Sequence, residues 1–289
     1  MSQGHLFRLA VQTYRPLPIL GVIDAYTAKL AAYAGGHAIY LSGAGVANSL
    51  YALPDLALTS LAEVKACAER ICIASNLPLL VDIDTGFGSI LTIARSIVEL
   101  ERIGVAAVQI EDQPFVKRCG HRDGKSLVTP AAMVDRIKAA VDARIDESFV
   151  IMARTDALAV EEMSMVTERL NDYVAAGADM IFLEAITDLK QLEALVLAMP
   201  CPILVNSTEF GKTPIYTQEM WAQHGAAMVL YPLSAFRCMA KAAVEAYQTI
   251  LHSGSQETLL TSMQTRQELY DILNYEAYES RIRTSQGEA

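Results

Sequence analysis

The sequence of 289 residues is poor in charged residues, and basic residues are the scarcer kind. Charged residues make up 19% of the chain, and 23 Lys and Arg against 33 Asp and Glu give a formal net charge of −10. The lack of clustered basic residues argues against nucleic acid, whose phosphates they neutralise, and against an anionic membrane surface. Hydrophobic residues reach 52%, which excludes a disordered chain. The low charge indicates extensive burial, including burial between subunits.

Cysteine and long apolar runs are also scarce. The five cysteines are an odd number and are few for the length of the chain. The residues 1–5 lack the basic and apolar regions of a secretory signal, and no apolar run approaches the roughly 20 residues of a membrane span. The sequence therefore predicts a cytoplasmic protein with reduced thiols rather than a disulfide framework.

What the sequence does contain is a rhythm of short apolar runs and amphipathic segments. The runs are nearly continuous in Val, Ile, Leu and Ala, as in parallel strands that are covered on both faces. Eight of them occur, at 19–24, 38–42, 79–84, 106–111, 149–155, 180–184, 203–206 and 228–231. Segments with helical caps lie between them, at 60–75, 92–103, 130–143, 160–176, 188–198 and 217–224. Eight strand–helix units predict an α/β protein with a (β/α)8 barrel of the TIM type, and an open doubly wound sheet is the alternative.

The C-terminal part of the chain is predicted to exceed the barrel. After Ser234 the pattern is largely helical to about Arg283, and it is rich in Leu and Tyr. We therefore expect a barrel domain at 1–250 and a helical extension of the same domain at 251–289. An extension this apolar must pack on its own barrel or on a neighbouring subunit.

Acidic residues end two neighbouring predicted strands. Asp82 and Asp84 are two apart, so both are expected on the same side of the third strand, and Glu111 ends the fourth. Because reacting groups of such barrels lie at the C-terminal strand ends, these carboxylates predict a site for a hard cation, Mg²⁺ or Mn²⁺. The alternative is that they cap loops and helices.

Other strand ends offer groups that bind anions. The turn 42–45, Ser-Gly-Ala-Gly, can present backbone N–H groups, although alone it is equally typical of a tight turn. Arg154 and Arg237 are bidentate donors for carboxylates, and with Asn206 and Thr208 they predict a pocket for a polyanion. Each arginine alone is also typical of a salt bridge.

The segment 113–129 is long for a loop between a strand and a helix and has no apolar periodicity. It contains Lys117, Arg118, Cys119, Gly120, His121 and Arg122 in succession. Positive neighbours favour the thiolate, so Cys119 is a candidate acid, base or nucleophile. The alternative is a basic surface loop in which the cysteine has no role.

Together these motifs resemble the isocitrate lyase and phosphoenolpyruvate mutase superfamily, and within it the methylisocitrate branch. The resemblance covers nearly the whole chain. It rests on the Lys-Arg-Cys-Gly-His block and on the stretches 40–43, 53–56, 80–88, 110–113, 150–157, 208–211, 231–237 and 263–266.

The resemblance implies a Mg²⁺-dependent cleavage of 2-methylisocitrate to pyruvate and succinate in the methylcitrate cycle of propionate breakdown. It implies that Asp84 holds the metal directly and Asp82 through water, with supporting roles for Glu111, Lys117 and His121. Cys119 is expected to protonate the succinate carbanion, and Tyr40 and Asp55 are the candidates for the base. Substrate contacts are implied for Ser42, Gly43, Ala44, Gly120, Arg154, Glu184, Asn206, Ser207, Thr208, Arg237 and Arg266. The resemblance also implies a homotetramer whose subunits exchange a C-terminal helix.

Two positions depart from the family pattern. Ala44 replaces a glycine of the Ser-Gly-Gly-Gly turn, so its N–H can serve only if its φ is negative. Gln109 stands where a histidine is common, which bears on hydrogen bonding around the metal site. The rival functions are cleavage of isocitrate or a dimethylmalate, decarboxylation of oxaloacetate, and a metal-free binding or scaffold protein.

Overall fold

Eight parallel strands form a closed barrel in the order of the chain. The computed structural model describes residues 1–117, Gly120 and 124–286. The strands are β1 Leu17–Val22, β2 Ile39–Leu41, β3 Leu79–Asp82, β4 Ala107–Glu111, β5 Val150–Thr155, β6 Met180–Leu183, β7 Ile203–Asn206 and β8 Met228–Tyr231. The barrel closes where β1 pairs with β8, with Leu17 opposite Met228. The predicted (β/α)8 barrel is confirmed.

Helices follow each strand, and each predicted helix is present within a few residues. They are α1 Gln3–Thr13, α2 Ala25–Tyr33, α3 Gly43–Tyr51, α4 Leu61–Ala74, α5 Ile90–Arg102, α6 Pro130–Ala143, α7 Met163–Ala175, α8 Leu189–Ala198, α9 Gln218–Gln223, α10 Ser234–Ser253, α11 Arg266–Leu273 and α12 Tyr275–Ser285. Short 3₁₀ turns lie at Ala157–Ala159 and Glu257–Ser262. The reciprocal cap between Ser60 and Glu63 is present at the start of α4. Among the described residues no helix is long and apolar enough to cross a membrane.

Two boundaries differ from the prediction in ways that matter for the site. Strand β3 ends at Asp82 rather than at residue 84. The turn-like sequence at 42–45 is the start of helix α3, with Ser42 at its N-cap. Two glycines in four residues favour a turn over a helix in sequence terms, which is why the pattern did not predict α3.

Apolar side chains form two cores, one inside the barrel and one between the strands and the helices. The inner core contains Leu17 and Ile19 of β1 and is joined by Phe7 and Val11 of α1. Helix α1 therefore packs against one end of the barrel interior, and Phe7 is fully buried there.

The C-terminal helices have no buried side chain. None of the residues of α10, α11 or α12 is buried in the described chain, although α10 follows β8, where the last helix of a barrel normally packs. Tyr247 is 66% exposed and Leu251 85% exposed. Helix α11 nevertheless lies against α2, and the hydroxyl of Tyr26 donates to Gln264 Oε1 at 2.7 Å. Packing on its own barrel and packing on a neighbouring subunit therefore both stay predictions. The boundary at residue 250 stays a prediction.

Truncating Phe7 tests how much α1 stabilises the barrel. We expect Phe7→Ala to lower the free energy of unfolding by about 3–5 kcal/mol, because it leaves a cavity in a close-packed core. Leu9→Ala on the same helix is the matched control, since Leu9 is 45% exposed, and we expect it to change stability by about 0.5 kcal/mol or less. Urea unfolding measures both, and equal losses would contradict the packing of α1 described above.

Candidate active site

The C-terminal strand ends enclose a small cavity of about 90 Å³. Most of the side chains predicted from the sequence line it: Tyr40, Ser42, Ala44, Asp55, Asp82, Lys117, Gly120, Arg154, Glu184, Asn206, Thr208 and Arg237. The apolar part of the wall is made by Phe182, Leu230, Pro232 and Leu233, to which the sequence analysis assigned no role. Such residues carry no signal that distinguishes them from core residues.

The three predicted metal ligands lie together. One carboxylate oxygen each of Asp82, Asp84 and Glu111 falls within 4.8 Å of the others, and all three residues are buried. The argument from strand periodicity was wrong, however, because Asp84 lies beyond the strand with a left-handed φ of 50°. The chain turns there, and the backbone N–H of Asp84 donates to Asp82 Oδ1 at 2.9 Å.

Asp82 is held from three sides. Besides the N–H of Asp84, it accepts the backbone N–H of Gly43 on Oδ2 at 3.0 Å and the side-chain amide of Gln109 on Oδ1. Gln109 is fully buried. The glutamine that replaces the common histidine therefore still donates a hydrogen bond to a carboxylate of the cluster.

Glu111 is the least compensated acid of the cluster. Neither of its carboxylate oxygens has a hydrogen-bond partner in the described chain, and the nearest cation is Arg154, whose Nε lies 3.5 Å from Oε2. Burial raises the pKa of Glu111 to about 8, although Arg154 and Lys117 oppose the shift. Burial and then Asp82 raise the pKa of Asp84 to about 6. A nearby positive charge would lower these two pKa values and favour the ionised form of both carboxylates.

Lys117 supplies part of that charge. Its side chain is 4% exposed, and Nζ lies 2.9 Å from Asp55 Oδ1 and 2.5 Å from Asp84 Oδ1. Burial alone lowers the pKa of the ammonium, but Glu111, Asp84 and Asp82 raise it well above its ordinary value. At this position the idea of a basic surface loop is wrong. Arg118, Cys119, His121 and Arg122 lie outside the described residues.

Arg154 is the central cation of the cavity. Its guanidinium lies 3.0 Å from Asp156 Oδ2 and 3.3 Å from Glu184 Oε2, and it stacks over the ring of Phe182 at 5.2 Å. Asn206 donates its amide to both oxygens of Glu184, at 3.1 and 3.2 Å. The arginine is thus oriented on several sides, as a bidentate carboxylate donor needs to be.

Charge counting across these contacts favours a cation. Among the residues that the structure describes, three cations, Lys117, Lys125 and Arg154, face six carboxylates, Asp55, Asp82, Asp84, Glu111, Asp156 and Glu184. Buried charges are paired or bind ions. Oxygen ligands of this kind suit a hard divalent cation, and the unpartnered oxygens of Glu111 are available to it. Asp82, Asp84 and Glu111 therefore fit a divalent metal.

The start of helix α3, which lies beside Asp82, can bind an anion. Ala44 lies in the first turn of α3 and is not among the residues with positive φ, so the substitution of glycine by alanine leaves its N–H in a helical position. The N-terminus of a helix attracts anions. The N–H of Gly43, by contrast, already donates to Asp82, and a Cβ there would lie 3.0 Å from Asp84 Oδ1.

Arg237 lies at the mouth of the cavity, 3.5 Å from Glu209 Oε2 and 5.7 Å from the ring of Phe210. Three predicted substrate residues are not on the cavity wall. Gly43 is one of them, and its N–H donates to Asp82. Ser207 is buried beside the cavity, and Arg266 begins α11 and is exposed. Their roles stay predictions.

Comparison with known proteins agrees with this site. The family model of phosphoenolpyruvate phosphomutase matches residues 7–251, and the chain belongs to this family. Among its curated relatives, the 2-methylisocitrate lyase of Vibrio cholerae is 56% identical over 98% of this chain and 94% of its own length. That of Escherichia coli is 49% identical over 97% of this chain and 95% of its own. The resemblance inferred from the motifs is confirmed.

Solved structures of other family members have the same fold. A 2,3-dimethylmalate lyase superimposes with a TM-score of 0.90 at 32% identity, covering 99% of this chain and 96% of its own. An oxaloacetate acetylhydrolase in complex with 3,3-difluorooxalacetate gives a TM-score of 0.91 at 30% identity, over 100% and 98%. The fold therefore hosts several cleavages of small polycarboxylates.

Removing one charge from the carboxylate cluster tests whether it holds a metal. We expect Asp84→Asn to weaken binding of Mg²⁺ or Mn²⁺ roughly tenfold or more, because a metal ligand is lost. Glu99→Gln is the control, since Glu99 pairs with Lys65 and Arg95 on the outer helix α5 and should leave the affinity unchanged. Titration calorimetry measures both, and equal affinities for Asp84→Asn and the unaltered chain would refute the site.

Proposed function

We propose that this chain cleaves 2-methylisocitrate to pyruvate and succinate in the methylcitrate cycle of propionate breakdown, with Mg²⁺ as cofactor and Mn²⁺ as a substitute. The observation that carries the proposal is 49–56% identity over nearly the full length to curated proteins of that name. The buried carboxylate cluster beside Arg154 supports it, because the substrate is a tricarboxylate with a hydroxyl group.

The reaction needs a base, a place for developing charge, and an acid. The substrate hydroxyl loses its proton, its oxygen forms the carbonyl of pyruvate, and the carbon–carbon bond breaks. The electron pair moves to the carbon next to a carboxylate of succinate, where a proton is then added. When bound, Mg²⁺ supplies Lewis-acid stabilisation of negative charge on substrate oxygens.

Of the two candidate bases, Asp55 is favoured. Burial and the charge of Asp82 raise the pKa of Tyr40 well above its ordinary value, so its phenol keeps its proton at neutral pH and can donate a hydrogen bond. Asp55 lies on the wall of the cavity, and its carboxylate is oriented by Lys117, whose Nζ lies 2.9 Å from Oδ1.

In this proposal, Arg154, Arg237 and the start of helix α3 bind the carboxylates of the substrate. Arg154 is oriented by Glu184 and Asp156, and its fixed guanidinium stabilises charge that develops on the succinate half. Arg237 and Thr208 complete that side of the cavity. The N–H groups at the start of α3, including that of Ala44, bind the pyruvate carboxylate. Cys119, which precedes Gly120 of the cavity wall, supplies the proton.

The relatives of known structure suggest the rival substrates, a dimethylmalate and oxaloacetate. Their identity to this chain is 32% and 30%, well below the 56% of the methylisocitrate relative. The site also argues against a binding or scaffold protein, because buried charges without a function are costly to retain.

We propose further that the protein is a cytoplasmic homotetramer in which C-terminal helices are exchanged between subunits. The support is the apolar surface of α10 to α12, of which no residue is buried in the described chain. In this proposal, a neighbouring barrel covers that apolar surface. The four cysteines of the described residues are free thiols, as is usual in a reducing compartment.

A substrate panel tests the proposed reaction. We expect purified protein with Mg²⁺ to release pyruvate from 2-methylisocitrate with kcat/KM at least about a hundredfold above that for isocitrate or 2,3-dimethylmalate, because a site built for one polar substrate rejects analogues with misplaced groups. Oxaloacetate is tested for oxalate and carbon dioxide release. EDTA should abolish the activity and Mg²⁺ restore it. No pyruvate with any divalent metal would refute the proposal.

Replacing Cys119 tests the proton donor. We expect Cys119→Ser to lower kcat by about 10²–10⁴-fold with little change in KM, because a serine hydroxyl is a far weaker acid at neutral pH. Cys72→Ser is the control, since Cys72 lies on α4, behind the strands. If Cys119→Ser instead raises KM and leaves kcat intact, the residue binds substrate and another group supplies the proton.

A further inference from the structure

Lys125 is a buried cation that the proposed reaction has not used. It lies between β4 and α6, and its side chain is 1% exposed. Its ammonium donates to the backbone carbonyl of Gly120 at 2.5 Å and to Asp156 Oδ1 at 2.8 Å. A lysine this deeply buried requires such partners. The contacts join the segment around Gly120 to the end of β5.

The backbone of Asp156 is fixed by a hydrogen bond to Asp112. Its backbone N–H donates to Asp112 Oδ1 at 3.0 Å. The other oxygen of Asp112 accepts the hydroxyls of Thr155 at 2.6 Å and Tyr173 at 2.9 Å. Asp112 and Asp156 are both fully buried. The carboxylate that meets Lys125 therefore has little freedom to move.

The same carboxylate also holds Arg154. The guanidinium donates through Nε to Asp156 Oδ2 at 3.0 Å and through Nη2 to Oδ1 at 3.4 Å. Oδ1 is thus shared by Lys125 and Arg154. Without Lys125, Arg154 would be the one cation of the described residues that is paired with Asp156.

Gly120 lies directly against the groups that Asp156 organises. A Cβ at this position would come within 2.6 Å of Arg154 Nη2 and 2.5 Å of Glu184 Cγ, so only glycine allows the approach. The carbonyl of this residue is the one that Lys125 binds. One peptide bond separates Gly120 from Cys119.

We propose that Lys125 is a positioning residue for the cleavage: through Asp156 it fixes the Gly120 peptide against Arg154. The relative position of this peptide and the substrate-binding arginine then depends on one ammonium group and one carboxylate. This inference rests on the proposed function, because the roles of Gly120 and Arg154 toward substrate belong to it. The alternative is that the buried ion pair of Lys125 and Asp156 contributes only to the stability of the fold.

The test compares Lys125→Met with Arg144→Met in the full-length protein with Mg²⁺. Arg144 is the matched control because it also joins a carboxylate to a backbone carbonyl, Asp179 at 2.7 Å and Phe149 at 3.1 Å, but does so away from the cavity. Circular dichroism and thermal unfolding report the fold and stability of each variant. Pyruvate release gives kcat and KM.

We expect Lys125→Met to lower kcat about a hundredfold with a change in KM of less than about fivefold, as for a misplacement of about 1 Å in a reacting group. Arg144→Met should lose stability and keep its kcat. Equal kcat in Lys125→Met and the unaltered protein would overturn the inference, as would equal falls of kcat in both variants. If Lys125→Met does not fold, Lys125→Gln, which keeps an N–H donor but no charge, is judged by the same criterion. Inactivity of the unaltered protein would instead refute the proposed function.

Discussion

The structure depends on an imbalance of buried charge at the mouth of the barrel. Glu111 is buried with no hydrogen-bond partner for its carboxylate in the described chain, and its pKa is raised to about 8 by that burial. Lys117 and Arg154 offset part of the negative charge around it. Because burial of unpaired charge is unfavourable, the arrangement fits a divalent cation held by Asp82, Asp84 and Glu111.

Much of this could be predicted from the sequence, because parallel strands covered by helices leave a strong pattern. Eight apolar runs gave the barrel, and the barrel brought the strand-end residues together. The hydrophobic periodicity did not predict the local backbone conformation at the strand ends. Asp84 reaches the cluster through a left-handed turn, and Ser42 begins a helix that its glycine-rich sequence disfavours. In both places a backbone N–H donates to Asp82, from Asp84 within the same turn and from Gly43 across the fold, and neither contact can be inferred from helix or strand propensity.

The roles of other residues could not be predicted from the sequence, because they depend on contacts between different segments of the chain. No sequence pattern assigned a role to Lys125 or Asp156. Their ion pair forms because the fold brings the segment before α6 to the end of β5. Arg266 shows the converse. A motif pointed to it, yet it is exposed on α11.

The most direct test of the central claim is to locate the metal. Crystals grown with Mn²⁺ and measured at the manganese absorption edge would reveal the ion by its anomalous signal. The account predicts one strong peak in each chain between the carboxylates of Asp82, Asp84 and Glu111. A fully loaded crystal with the peak elsewhere, or with no peak at this cluster, would contradict it.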